Sequence, residues 1–473
     1  MITGKILKAR GWPEGKIIGL AKAAAQRLEM EGLEQDAILS RLDAVRENAG
    51  AHLTDAQFGD LARETLRRTQ VETSRIDDTL RSEPLPFQTW GVEGIDAGAV
   101  EQMKNSMLLP VSVAGALMPD AHVGYGLPIG GVLATHQAVI PYAVGVDIAC
   151  RMRLSLYEQS PHVLGQRSAF EKALRTQTKF GAGAKWSGAE RAEHEVIDDS
   201  AWTATRLLKS LQHKASEQLG TSGTGNHFVE WGAFTLETDS LDLNLKAGQY
   251  LALLSHSGSR GVGFKIANEY SKIARDLHPN LQPVVRNLAW LPLESEAGQE
   301  YWLSMELAGR FASANHAIIH ERVAAAAGVR EVAHVENHHN FAWHETLEDG
   351  TAVVVHRKGA TPAGEGVLGV IPGSMGAPGY VVRGRGVASS LNSASHGAGR
   401  KMSRRGAMES ITRPMRDKLL QEQGVTLLGG GLDESPQAYK DIEAVIKAQS
   451  DLVSIVGQFA PRIVRMADEA GAV

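Results

Sequence analysis

Apolar positions near the start of the chain recur at helical spacing. Ile17, Ala21, Ala24 and Leu28 fall on one face of a segment whose first turn suits Pro13 and Glu14, and Gly32 follows as a stop. A second helix is predicted from Asp36 to Glu47, ending at Asn48-Ala49-Gly50. A third is predicted to begin at Thr54, whose hydroxyl pairs with Gln57 in a capping box, with Phe58, Leu61, Thr65 and Leu66 as its buried stripe. The polar, proline-bearing stretch SEPLPFQTWG (Ser82 to Gly91) reads as a connection. This pattern predicts a helical extension over residues 1–82 and a larger domain over 83–473.

From about residue 107 the period changes. Short apolar runs alternate with Gly, Pro and Asn: LLPVSVAGALMPDAH, GGVLATHQAVIPYAVGVDIA, YLALLSHSGSRG and TAVVVHRKGA each read as a strand feeding a loop. Helical patterns, Asp198 to Leu219 and Tyr301 to Ala327, lie between them. Without a regular βαβ rhythm, a complex mixed-sheet α+β fold is expected rather than a Rossmann sheet.

Composition narrows the picture. A chain of 473 residues with 43% hydrophobic positions can build a large core, and 22% charged residues with a net charge of -5 exclude a disordered or globally basic protein. A local basic groove on an acidic body remains compatible with a nucleic-acid partner. The N-terminal residues show no apolar signal-peptide core, and no apolar run reaches membrane-span length. With one cysteine, a reducing cytoplasm is the expected location. The 50 glycines gather in the middle and C-terminal parts, which suggests tight turns and close backbone approach to a ligand.

The chemistry-bearing residues sit at strand ends and in loops. They are Asp120 and His122, Asp147 and Cys150, His227, His256, His338 and His339, His356 and His396. Any one of these histidines alone is more readily a structural residue, and Cys150 alone a small buried hydrophobe. In combination they offer an oxygen, nitrogen and sulfur donor set suited to borderline first-row ions such as Mn²⁺, Co²⁺ or Zn²⁺, with a thiolate able to bridge two ions. No CxxC or HExxH spacing selects among them. The Gly/Ser loops SGTGNH, SHSGSRGVG, GSMGAPG and SHGAGRKMSRRGA offer backbone amides to phosphate, although no Walker motif occurs. Between Arg383 and Lys418 nine Lys/Arg face two acids, Glu409 and Asp417, which fits either a solvated basic face or a phosphate-tracking groove.

The segments MPDAHVGYGLPIGGV, GVDIACRM, GTGNHFVEW, SHSGSRGVG, HHN, HRKGAT, GSMG and SHGAGR, in this order, resemble the RtcB-type RNA ligases from about residue 90 to about 466. The resemblance implies a GTP- and Mn²⁺-dependent enzyme that joins RNA 2′,3′-cyclic phosphate or 3′-phosphate ends to 5′-hydroxyl ends, in RNA repair or tRNA splicing. By motif, Asp147, Cys150, His227, His256 and His339 would bind two Mn²⁺ ions, with Cys150 bridging. His396 would be the nucleophile that accepts GMP, with Asp120 as the carboxylate beside it. Asn226, Phe228, Glu230, Ser374, Ala398, Gly399, Arg400 and Tyr439 would line the nucleotide pocket. Arg260, Lys358 and Arg404 would meet phosphates of GTP or RNA. The resemblance leaves open an activating protein partner.

Two departures stand out. Members of the family typically end in Lys-Gly, whose lysine contacts guanine; here the stretch is PRIVRMADEAGAV, which puts Met466 at the lysine position. Another nucleotide preference is therefore left open. The helical extension is the second departure, read first as a packing or dimerisation element. A metal-dependent phosphoesterase acting on cyclic-phosphate ends and a non-ligating RNA-end-binding paralogue are the alternatives; His396 in SHGAGR argues against the first, and the full donor set against the second.

Overall fold

The computed structural model describes residues 2–13, 15–52, 55–65 and 76–468, in two compact units that divide between Asp77 and Asp78. In the first unit, helices Gly4–Ala9, Lys16–Met30 and Gln35–Glu47 bury Leu7, Trp12, Ile17, Leu28, Ile38, Leu42 and Val45 in a shared core. Gly32, with φ of 84°, closes the second helix in the left-handed conformation that favours glycine. Residues 59–65 are helical, with Phe58, Leu61 and Ala62 buried. Glu14, Thr54 and Leu66, part of the expected helix starts and stripe, lie outside the described residues.

In the second unit, residues just after Asp77 are already tied to the larger body. Arg81 donates to the carbonyls of Pro110 and Ser112 at 3.1 and 2.9 Å. A five-stranded sheet runs Gln88–Thr89, Ser112–His122, Ile129–Thr135, Ala352–Lys358, Asn340–Thr346. An eight-stranded sheet follows the path Leu368–Ile371, Gly379–Gly384, Val453–Met466, Phe228–Leu236, Gly248–Ser257, Arg151–Tyr157, Glu331–His338, and Thr426–Leu427 joins beside Val453–Met466. Its two end strands approach closely enough for the Val370 N–H to donate to Asn337 Oδ1 at 2.7 Å, so the sheet is a nearly closed barrel.

Side-chain alternation sorts this barrel into two faces. Met152, Leu154, Leu156, Ala252, Leu254, Phe234 and Val381 fill the inside. Tyr157, Trp231, Leu251 and Leu253 face outward, against Phe170 and Leu174 of helix Arg167–Gln177 and Ile319 and Val323 of helix Glu296–Ala327. A further core joins the two sheets, pairing Met118, Val132 and Val355 with Ile371, Tyr380 and Val453.

The mixed α+β architecture is the expected one. The differences lie where glycine disguised a helix. Helix Arg260–Leu277 starts directly behind strand Gly248–Ser257, inside the stretch expected to be a Gly/Ser loop. Its glycines serve packing: a Cβ on Gly258 would collide with the Asp147 carboxylate, and one on Gly263 with Ser259. Helix Ala97–Met107, capped by the Asp96 side chain, also went unread.

Candidate metal and nucleotide site

Four neighbouring barrel strands present their ligand residues at one end. His227 precedes strand Phe228–Leu236, His256 lies near the end of Gly248–Ser257, Cys150 precedes Arg151–Tyr157, and His339 follows Glu331–His338. The register sets Phe228 and Met152 on either side of His256, and Arg151 opposite His338. Pairing along the ladders, rather than proximity in sequence, brings these donors together. His256 and Cys150 share strand parity with Leu254 and Met152, so both belong to the barrel's inner face.

Cys150 Sγ lies 3.1 Å from His256 Nε2 and 3.3 Å from His227 Nε2. His256 Nε2 lies 3.3 Å from His339 Nε2, and His227 Nε2 3.1 Å from Asp147 Oδ2. Donor atoms of Cys150, His227 and His256 all fall within 4.8 Å of one another. His256 Nδ1 faces the Asn226 carbonyl at 3.1 Å, and a carbonyl only accepts, so the proton sits on Nδ1 and the lone pair of Nε2 turns to the cluster. Burial pushes His227, His256 and His339 below the ordinary histidine value, keeping them neutral. Burial would raise Asp147, but its hydrogen bond to His227 and the nearby Arg260 charge outweigh that and hold it low. Burial and then the Asp147 charge push the Cys150 thiol up. Nitrogen, oxygen and sulfur atoms converging this closely fit a divalent cation, which would displace the thiol proton and make the thiolate the stable form.

His396 follows strand Ser393–Ser395, and both its backbone N–H and its Nδ1 meet Asp120 Oδ2, at 3.1 and 2.6 Å. Asp120 is fully buried, and a carboxylate there fixes the proton on Nδ1 and leaves the Nε2 lone pair free. The His396 and His339 ring centroids are 4.9 Å apart, so the imidazole borders the donor cluster. Gly399, with φ of 71°, lets the SHGAGR backbone lie against the Asp120 carbonyl, where a Cβ would clash.

A cavity of about 970 Å³ opens over these groups. His256, His339 and His396 form its floor, and Asn226, Phe228, Ser374, Ala398, Gly399, Arg400, Arg404, Tyr439 and Met466 its walls. Of the residues expected to meet the nucleotide or the phosphates, three stand apart from its lining. Arg260 donates to His227 Nδ1 at 3.3 Å and Ser257 Oγ at 2.9 Å, so it serves the cluster. Lys358 is buried, bonded to the Tyr125 carbonyl and pushed down to about 7 by burial. Glu230 lies in the barrel, opposite Leu254 and Val464, with Oε2 lacking a partner; burial raises its acid well above the ordinary value.

The comparisons agree with this geometry. A model of the family described as "tRNA-splicing ligase RtcB" matches residues 102–467. The chain belongs to the RtcB family of RNA ligases. It is 34% identical over 410 residues to the RNA-splicing ligase RtcB of Escherichia coli K12, covering 80% of this chain and 97% of the relative. It is 30% identical over 440 residues to the tRNA-splicing ligase RtcB of Thermococcus kodakarensis, covering 76% of this chain and 89% of that one.

This RtcB chain holds its arginines in place with acids the sequence reading passed over. Glu434, buried, accepts from Arg400 at 3.4 Å and also from Arg404 and the Tyr439 hydroxyl. Arg404 pairs with Asp433 as well, and Arg400 donates to the Asp433 carbonyl at 2.7 Å while lying over the Tyr439 ring. Several cations of the basic stretch thus meet acids beyond it, Arg383 with Asp242 and Lys418 with Glu422 among them, while Arg405 and Arg416 pair with Glu409 and Asp417 inside it. The signal was the acid pair after GGGL, visible only once opposite charges are matched across the chain. Two histidines prove structural: His356 takes the Ile140 N–H and gives its Nδ1 proton to the Leu133 carbonyl, and His338 stacks on Trp343. His122 lines the cavity with Nδ1 on the Asp120 carbonyl. Met466 is buried opposite Phe228, packed with Met375 and Val464, while Arg465 turns away to Asp468.

Proposed function

We propose that this RtcB-family ligase joins RNA ending in a 2′,3′-cyclic phosphate or 3′-phosphate to RNA beginning with a 5′-hydroxyl, using GTP and two Mn²⁺ ions. The observation that carries the reading is the His396–Asp120 pair beside the donor cluster. A phosphoesterase needs no nucleotidyl acceptor, and here a carboxylate-oriented imidazole faces a cavity walled by aromatic rings and arginines. Asp147, Cys150, His227, His256 and His339 would hold the metal, with the Cys150 thiolate between the two ions. When bound, the ions would neutralise phosphate charge and polarise the phosphoryl oxygens.

The chain's own residues supply the rest. Asp120 keeps the His396 Nδ1 proton in place, so Nε2 attacks the α-phosphorus and pyrophosphate leaves. The SHGAGR backbone at Ala398 and Gly399, with Arg400 and Arg404, lies along the phosphates. Phe228 and Tyr439 offer ring faces to the base, and Asn226 and Ser374 polar edges. GMP then passes from His396 to the RNA 3′-phosphate, and the 5′-hydroxyl of the second strand displaces it in line. Arg260 orients His227, and Lys358 holds the Tyr125 carbonyl. We further read the smaller unit, up to Asp77, as an accessory helical domain and the unit from Asp78 as the catalytic domain, a boundary a few residues before the expected one at 82.

The test is nucleotide transfer. The protein with Mn²⁺ and α-labelled GTP should take up an acid-labile label that His396→Ala does not. No label with any nucleotide would sink the ligase reading and leave the phosphoesterase and the non-ligating paralogue.

A further inference from the structure

The nucleotide reading leaves one lobe of the cavity lining unassigned, the residues Val123, Tyr125 and Lys440 among them. Its rim is the loop after strand Ser112–His122, where Val123 and Tyr125 are 53% and 73% exposed. An exposed aromatic ring is ordinary on a mobile loop. This loop is held at successive residues. The Gly124 N–H donates to Gln102 Oε1 at 2.9 Å, Gln102 Nε2 returns a bond to the Gly124 carbonyl at 2.5 Å, and Lys358 Nζ caps the Tyr125 carbonyl. Gly126 takes a φ of 74° to turn the chain back. The backbone is fixed and the ring faces out, which is the form of a stacking platform.

The cavity lining here carries a cation, Lys440, as well as the acids Glu93 and Asp96. Lys440 lines it and donates to the carbonyls of Pro119 and Ala121 at 3.0 and 2.8 Å, so two of its three ammonium protons are used on neutral oxygens. Lys358 is likewise seated on a carbonyl. Lys440 thus engages neutral oxygens, unlike Arg404, which two carboxylates engage.

We propose that this lobe is the seat of the 3′-terminal nucleotide of the phosphate-bearing RNA strand, with its base stacked on Tyr125 and its terminal phosphate drawn by Lys440 toward His396. The assignment rests on the ligase reading above. Single-stranded ends are read chiefly by stacking on aromatic faces, and a terminal base on Tyr125 would set the 3′-phosphate on the His396 side of the cavity.

The experiment uses the full chain with Mn²⁺ and a short RNA ending in 5-iodouridine 3′-phosphate. Ultraviolet cross-linking followed by peptide mapping should place the terminal base on Tyr125. Tyr125→Ala should weaken binding of this RNA about tenfold, while Tyr125→Phe, which keeps the ring, stays near wild type. An RNA with an abasic 3′-terminal residue should bind equally to wild type and Tyr125→Ala. Tight binding by wild type with cross-links elsewhere, or an unweakened Tyr125→Ala, would overturn the platform alone. Failure of the wild type to bind 3′-phosphate RNA at all would overturn both the platform and the ligase reading.

Discussion

The two ends of the cavity are built by different means. At the metal end, four adjacent strands deliver the donors, and the ladder register alone brings Cys150, His227, His256 and His339 together. Outer contacts then set their orientation, as the Asn226 carbonyl does for His256. At the nucleotide end the wall is assembled from loops, and an acid, Glu434, gathers Arg400, Arg404 and Tyr439. The first end has its shape because of the sheet. The second has it because opposite charges meet, so it can be retuned by single substitutions without disturbing the barrel.

Removing a metal-end donor should be the costlier change. Cys150→Ala would take away the cluster's sulfur donor, and if that thiolate bridges two ions as proposed, at least one metal equivalent should be lost in a mass-spectrometric count. RNA joining should fall on the order of 10³-fold, and chelation of wild type should do the same. A full metal complement in Cys150→Ala would break the bridging assignment.

Next in size is a pH effect that separates donor histidines from structural ones. His356, fully buried, has its value lowered by burial to about 4 from the ordinary 6.5. Between those values the unfolded chain binds a proton that the folded chain refuses, so stability falls as pH drops from about 6.5 to about 4, by about 3 kcal/mol for this group. Urea titrations near pH 7 and near pH 4.5 should show a smaller loss for His356→Gln, whose amide can keep both hydrogen bonds. Adding Mn²⁺ near pH 6 should raise the stability of both proteins equally, because His356 lies outside the cluster.

At the other end, Glu434→Gln would leave Arg400 and Arg404 short of a charged acceptor. We expect a loss of about 2 kcal/mol in chemical denaturation, with metal content unchanged. A parallel drop in bound metal would show that the two ends are mechanically coupled.

How far the sequence reached follows the same division. The donors were legible because Asp, Cys and His in Gly- and Ser-flanked loops are chemically conspicuous, and the motif order tied them to one family. Their barrel was not, since strand order depends on contacts between distant segments such as Val453–Met466 with Phe228–Leu236. Helix Arg260–Leu277 was hidden by glycines that read as loop, though they are there so that Asp147 and Ser259 can approach. Glu434 was missed because a lone acid shows its purpose only beside the arginines it holds. Glu230 was chosen from the motif, yet it sits in the barrel opposite Val464, away from the cavity lining.

The smallest expected effect concerns the base. A purine between Phe228 and Tyr439 would meet Met466, a thioether that cannot donate to the 6-oxygen of guanine. Nearby cations do not replace it: Arg465 turns toward Asp468, and Arg400 and Arg404 are bound to Glu434. GTP and ATP should therefore label His396 at rates within about tenfold of each other. Met466→Lys would restore a donor on the same strand face and should raise the preference for GTP about tenfold, measured as the ratio of initial labelling rates. Because Met466 packs against Met375 and Val464, the lysine stem can lie along that apolar surface with its ammonium in the cavity. A strong GTP preference in the wild type, unchanged by Met466→Lys, would place base selection elsewhere on the wall and make Ser374 and Asn226 the next residues to change.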